Sequence, residues 1–117
     1  MSIAASLFGI DPRIRYVAVN LGGRIAEMEQ SPHWPSTNPS ETDRMEELIV
    51  NPVVLELVRR RGEIDIGGAR YVVIRYGVLF ELVLPYPGGH VSVGIEPGPG
   101  TLEIAESCEE ALRSIPG

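Results

Sequence analysis

A handful of side chains could do chemistry beyond packing: His33, Trp34, Glu81, His90 and Cys108. His33, His90 and Cys108 lie far apart in the chain and match no metal-ligand spacing, so no metal site is expected. Cys108 would need a base and an electropositive setting to act as a nucleophile. It falls instead on the apolar side of a helical pattern, among Glu106, Glu109 and Glu110, and reads as a packed cysteine. Glu81 is the one carboxylate in the apolar run 78–84. Buried alone, its pKa would rise and it could work as an acid or base. The simpler reading is an ion pair with Arg70. His33 and Trp34 sit between prolines in SPHWPSTNP. They form either a recognition anchor on a stiff loop or an indole cap on the core, and the cap is the simpler alternative.

Composition narrows the function classes. The chain has 117 residues and a formal charge of −6, which argues against a nucleic-acid binder. It contains no lysine; all 10 basic residues are arginine. Phosphate-loop and Schiff-base lysines are thereby excluded. The glycine pairs at 22–23, 67–68 and 88–89 read as turn punctuation, and none opens a helix with phosphate-loop spacing. No cofactor is expected. A single cysteine permits no internal disulfide. The N-terminus lacks the pattern of a secretory signal, and no segment approaches the ~20 apolar residues of a membrane span. A cytoplasmic protein with no membrane partner is the expectation. The length fits one domain over residues 1–117.

The elements that must position these residues are organised around Ser40 to Arg61. Ser40 is an N-cap candidate and Gly62 a natural stop. Asn51-Pro52 interrupts the pattern, giving either a kinked helix or two short ones with Asn51 as the second N-cap. The apolar residues of this run do not form one stripe: Leu48 and Leu55 fall on one side, Val50, Val54 and Leu57 towards the other. A helix apolar nearly all round is normally covered on two sides. The second cover is either a partner chain or, through the kink, this chain itself.

Ser2 to Phe8 suits a short helix. Ile14 to Leu21 and Arg24 to Gln30 read as a hairpin about Gly22-Gly23, with the return strand at an edge. Arg70 to Tyr76 and Val78 to Leu84 form a second hairpin. A tight turn at Tyr76-Gly77 would set Val72 opposite Glu81 and bring Arg70 diagonal to it. Val78 to Leu84 should be internal and covered on both faces. Pro85 to Gly89 reads as a loop. His90 to Glu96 alternates, with Val91, Val93 and Ile95 on one face. Thr101 is an N-cap candidate for an amphipathic helix from Leu102 to Ser114. The predicted order is α-β-β-α-β-β-β-α, an α/β chain of the α+β type with helices packed on an antiparallel sheet.

This order resembles the roadblock/dynein-light-chain family within the profilin-like class. The resemblance is carried by VNLGGRIAEM (Val19 to Met28), the long helix after it, YVVIRYGVLFELVLP (Tyr71 to Pro85), HVSVGIE (His90 to Glu96) and the last helix. It implies a five-stranded antiparallel sheet and a homodimer in which the central helices pair and the strand Arg70 to Tyr76 extends the sheet. Val50, Val53, Val54, Leu57, Arg70, Val72 and Ile74 are then the interface residues. It also implies a non-catalytic scaffold or regulator, with a small GTPase as one candidate partner. The chain departs from the family pattern at Asn51-Pro52 and in the 31–39 segment. The alternative function is a small-molecule sensor that binds between the sheet and that segment, using His33, Trp34, Ser92 and Gly94. An enzyme built on Glu81 or His90 ranks last.

Overall fold

The structure, a computed structural model, describes residues 2–31 and 41–115. His33, Trp34 and the expected N-cap Ser40 lie outside the described residues.

The elements follow as α1 (Ile3–Phe8), β1 (Ile14–Leu21), β2 (Arg24–Gln30), α2 (Glu41–Met45), a π-turn (Glu46–Val50), α3 (Asn51–Asp65), β3 (Val72–Arg75), β4 (Phe80–Tyr86), β5 (Gly89–Ile95) and α4 (Thr101–Ser114). Apart from the added π-turn, this is the predicted order. The strands form one sheet in the order β2-β1-β5-β4-β3, with every neighbouring pair antiparallel. β2 lies at an edge and β4 is internal, as expected. The β1–β2 turn holds Gly22 and Gly23 at φ 62° and 78°, the left-handed region that a tight two-residue hairpin requires.

The two faces of the sheet differ in chemistry. Val17 and Val19 of β1, Leu82 and Leu84 of β4, and Val91, Val93 and Ile95 of β5 share one face. There they pack with Ala4 and Leu7 of α1 and with Ile104, Ala105, Cys108 and Leu112 of α4. Tyr71, Val73 and Phe80 flank this core, as their shared face predicts. Ser2 caps α1 through a 3.0 Å bond from the Ala5 N–H, and Glu27 of β2 accepts from the Ile3 and Ala4 N–H groups. A marginal helix of six residues is thereby held at its start. Residues of opposite parity face the α2–α3 run.

Several boundaries differ from the sequence reading. The central run is neither stopped by Gly62 nor split at Asn51-Pro52. It continues helically to Asp65, and Asn51 has helical φ and ψ instead of acting as an N-cap. Gly62 is buried because the returning backbone crosses it: a Cβ there would lie 2.8 Å from the carbonyl carbon of Gly68. Arg60 and Arg61 pair along the helix with Glu56 and Asp65.

The β3–β4 connection is wider than expected. The Tyr76 N–H donates to the Leu79 carbonyl at 2.9 Å, so Val72 faces Val83 and Arg75 faces Phe80. This two-residue change of register places Ile74, not Val72, opposite Glu81. β4 runs through Pro85, which was expected in a loop. Pro85 lies beyond the last β3 pair, where β4 is locally an edge and a missing N–H is tolerated. Gly100, not Thr101, occupies the N-cap of α4. The Thr101 hydroxyl donates to the Gly98 carbonyl and accepts from Arg13. Arg13 also donates to the carbonyls of Glu96, Pro99 and Gly98, and so fixes the proline–glycine loop.

Helix propensity alone favours Ala over Gly in a helix interior by about 1 kcal/mol. The backbone contact at Gly62 reverses that sign. We expect Gly62→Ala to destabilise the fold by about 1–3 kcal/mol, as overpacking does, read from the midpoint of urea denaturation. A gain in stability would show that the crossing backbone can move aside.

Candidate functional site

The α2–α3 run rests on the sheet through polar residues. Glu47 of the π-turn and Asn51 of α3 are wholly buried beneath it, one helical turn apart. Below them lie Tyr16 and Asn20 of β1, Glu81 of β4, and His90 and Ser92 of β5. Strand alternation puts these side chains on the face opposite the apolar core.

One chain of hydrogen bonds joins them. The Asn51 amide nitrogen donates to Glu81 Oε2 at 3.1 Å and to Ser92 Oγ at 2.9 Å. The Ser92 hydroxyl donates to Glu47 Oε1 at 2.6 Å. His90 Nε2 lies 3.0 Å from the same oxygen, and the Tyr16 hydroxyl donates to Glu47 Oε2 at 3.1 Å. Burial, then the charge of Glu47, pushes the Tyr16 phenol well above its ordinary range. Burial, reinforced by the Glu47 charge and opposed by the Asn51 bond, pushes the Glu81 carboxyl up to about 8.

The π-turn explains why this seat forms. In an α-helix the Asn51 N–H would bond to the Glu47 carbonyl; here it bonds to that of Glu46, one residue further back. The next N–H in that register would serve the Glu47 carbonyl, but residue 52 is proline and has none. Asn20 of β1 supplies the missing donor: its Nδ2 reaches the Glu47 carbonyl at 3.0 Å. The break seen in the sequence is therefore absorbed by one widened turn and repaired from the sheet.

This arrangement is unsuited to nucleophilic catalysis. Ser92 is fully buried and directs its proton to a carboxylate, and His90 contacts the same carboxylate instead of the hydroxyl. A serine nucleophile needs its base within hydrogen-bond reach and an open approach. Ser92 and Gly94, read from the sequence as walls of a ligand pocket, are both buried, Ser92 beneath Glu47 and Asn51 and Gly94 against the Tyr16 side chain. Cys108 is fully buried, and burial pushes its thiol up to about 12, as expected for a packed cysteine.

The expected Arg70–Glu81 pair does not form. Arg70 lies on the other side of the sheet, where it donates to Glu106 at 3.0 Å and to Glu109. The longer 76–79 turn removes the diagonal contact on which the pair depended. Glu81 is buried without an arginine and has the Asn51 amide instead.

Two clefts border the helical run. One, of about 300 Å³, is lined by Tyr16, Asp43, Glu46, Glu47, Tyr76 and Glu81 among others, and it reaches the buried carboxylates. The other, of about 700 Å³, lies between α3 and the two hairpin tips, beside Leu48, Arg59 and Tyr86. Among the described residues, no group of three His, Cys, Asp or Glu side chains is placed to hold a metal ion, and no helix is long and apolar enough to cross a membrane.

The outer side of the run inverts the usual amphipathic pattern. Glu47 and Asn51 are buried, while Ile49, Val53, Leu57 and Ile64 are 59, 54, 63 and 75% exposed. At about 100° per residue, Val53, Leu57 and Ile64 fall nearly opposite Asn51, Leu55 and Gly62. Of the interface residues expected from sequence, Val53, Leu57 and Arg70 are exposed. Val50, Val54, Val72 and Ile74 are half-buried.

No protein-family model matches the chain, and no curated protein does. A solved structure of MglB with tetrameric arrangement matches 95% of this chain and 88% of that one, with a TM-score of 0.60 at 11% identity. At that identity the likeness shows the fold alone. The chain has the roadblock-like fold, an antiparallel five-stranded sheet with helices packed on it.

Removing the Asn20 donor strands the Glu47 carbonyl, and a buried unsatisfied acceptor costs about 1–3 kcal/mol. We expect Asn20→Ala to lower stability by that amount. Pro52→Ala restores a backbone N–H beside the π-turn and should recover part of the loss. A double-mutant cycle by denaturation measures it; strictly additive effects would refute the repair.

Proposed function

We propose that this chain is a non-catalytic, homodimeric interaction module of roadblock-like type. The observation that carries the proposal is the inverted helical run, polar beneath and apolar outside. Covering a side chain the size of Val or Leu contributes about 1.5–3 kcal/mol, and leaving a row of them wet forgoes that gain. Association itself costs about 4–15 kcal/mol, so the row needs a second contact to make a stable dimer.

β3 supplies that contact. It is the outer strand at the end of the sheet opposite β2, with one backbone edge unpaired by any described strand. Val72 and Ile74 are half-buried on the face where the helical run sits. A second copy related by a two-fold axis could pair β3 with β3 and lay its helix against Val50, Val53, Val54 and Leu57. The interface would be isologous, as in most homodimers. Arg70, just before β3, lies at the rim of such an interface.

Within this reading the dimer is a platform for another protein, with a small GTPase as the candidate class and the cytoplasm as the setting. The full burial of Ser92, which leaves its hydroxyl no open approach, and the commitment of His90 Nε2 to Glu47 support a role without catalysis. The sensor reading is the weaker one, since two of its pocket residues are buried and the other two lie outside the described residues.

Sedimentation equilibrium on the wild type and on the double variant V53E/L57E tests the reading. Both positions are exposed, so the fold should survive. We expect a wild-type dimer, and a loss of self-affinity of at least ~30-fold in the variant, equivalent to about 2 kcal/mol of interface energy. A wild-type monomer at high micromolar concentration would refute the homodimer.

A further inference from the structure

Glu81 occupies an unusual position for a carboxylate. It is 5% exposed, and its one described bond is from the Asn51 amide. No described ion pair includes it. The helical run above it brings Asp43, Glu46 and Glu47 to the same cleft. β1 contributes Tyr16 and Arg15, and Arg15 is paired with Glu96. The β3–β4 turn contributes Tyr76, which donates to Glu46 at 3.3 Å. β5 contributes His90, bound to Glu47. The surroundings are therefore predominantly acidic.

The same cluster contains an unsatisfied acceptor. Asn51 is wholly buried, and its Oδ1 has no hydrogen-bond partner among the described residues. The hydroxyls of Ser92 and Tyr16 are committed to Glu47. A proton on Glu81 adds a donor in contact with that amide and removes a second negative charge from beside Glu47. The cleft of about 300 Å³ gives solvent a path to the carboxyl, so proton exchange does not require global unfolding.

We propose that Glu81 is a proton-operated latch for the helical seat: protonated, it holds the π-turn and the first turn of α3 on β4 and β5; ionised, it loosens them. Two buried anions sharing one short chain of hydrogen bonds repel each other, and that repulsion bears on the segment hung on Asn51 and Glu47. The direction follows from the raised carboxyl. The folded protein keeps the proton to about pH 8, whereas the unfolded chain releases it near 4.5. Between those values the unfolded state binds fewer protons, so stability falls as pH rises and levels off above about 8. The latch does not depend on self-association, and its test uses no measurement of oligomeric state.

The experiment is amide hydrogen exchange over residues 46–51, corrected for intrinsic rates, from pH 5 to pH 9 in the wild type and in Glu81→Gln. Gln preserves shape and an acceptor for Asn51 but cannot ionise. In the wild type, protection of this segment should fall at least ~10-fold across the range; in the variant it should stay within about twofold. A parallel fall in both proteins would assign the effect to His90 or Glu47 and overturn the proposal. If Glu81→Gln does not fold, carbon-13 titration of the Glu81 carboxyl in the wild type decides. Its midpoint should coincide with the change in exchange, and a midpoint at the ordinary carboxylate value would overturn the latch.

Discussion

A carboxylate with no exposure has to be bonded on all sides, and Glu47 imposes that requirement on the rest of this fold. Removing such a group from water costs several kcal/mol, which its partners roughly return when their geometry is good. The partners here are Tyr16 of β1 and His90 and Ser92 at alternating positions of β5, all on one face. Their net contribution to stability is small by this reasoning, but they are directional. They fix where the helical run sits and which way it is rotated.

Stability must then come from elsewhere, and the opposite face of the sheet supplies it. There Val, Leu and Ile from β1, β4 and β5 close against α1 and α4 without a buried charge. Arg13 ties the start of β1 to the loop before α4, so the layer that carries the core is also pinned at its end. One sheet thus serves two interfaces of different chemistry. The apolar side provides cohesion and the polar side provides orientation.

The sequence made the local features of this design legible. The Gly22-Gly23 hairpin, the alternation of β5 and the helical spacing of α4 depend on near neighbours, and each was found where expected. The register of β3 on β4 was not, because a four-residue turn and a tight one are both compatible with Tyr76-Gly77-Val78-Leu79. That single ambiguity accounts for the mistaken Arg70–Glu81 pair. The seat itself left a signal that was not used. Tyr16 and Asn20, His90 and Ser92, and Glu81 are polar residues on one face of neighbouring strands, and Glu47 and Asn51 stand one helical turn apart. Read together, they describe a polar underside looking for a polar floor. What no sequence pattern could reveal is the π-turn, since the exchange of one backbone bond for another has no side-chain signature beyond the proline that follows it.

The π-turn also explains how one face of so irregular a run stays in line. In an α-helix, residues four apart drift around the axis because a turn holds 3.6 residues. A turn closed by bonds to the fifth residue winds less per residue and offsets part of that drift. Glu47, Asn51 and Leu55 therefore remain underneath, and Met45, Ile49, Val53 and Leu57 remain outside, each set at steps of four. An ordinary amphipathic helix would have spent its apolar stripe on its own sheet. Here hydrogen bonds hold the helix, and the stripe is left facing outward at a fixed rotation. On the proposed reading, orientation and adhesion belong to different sides of one element, and a change in the proton content of the underside would alter how the outer side is presented without any residue of that outer side titrating.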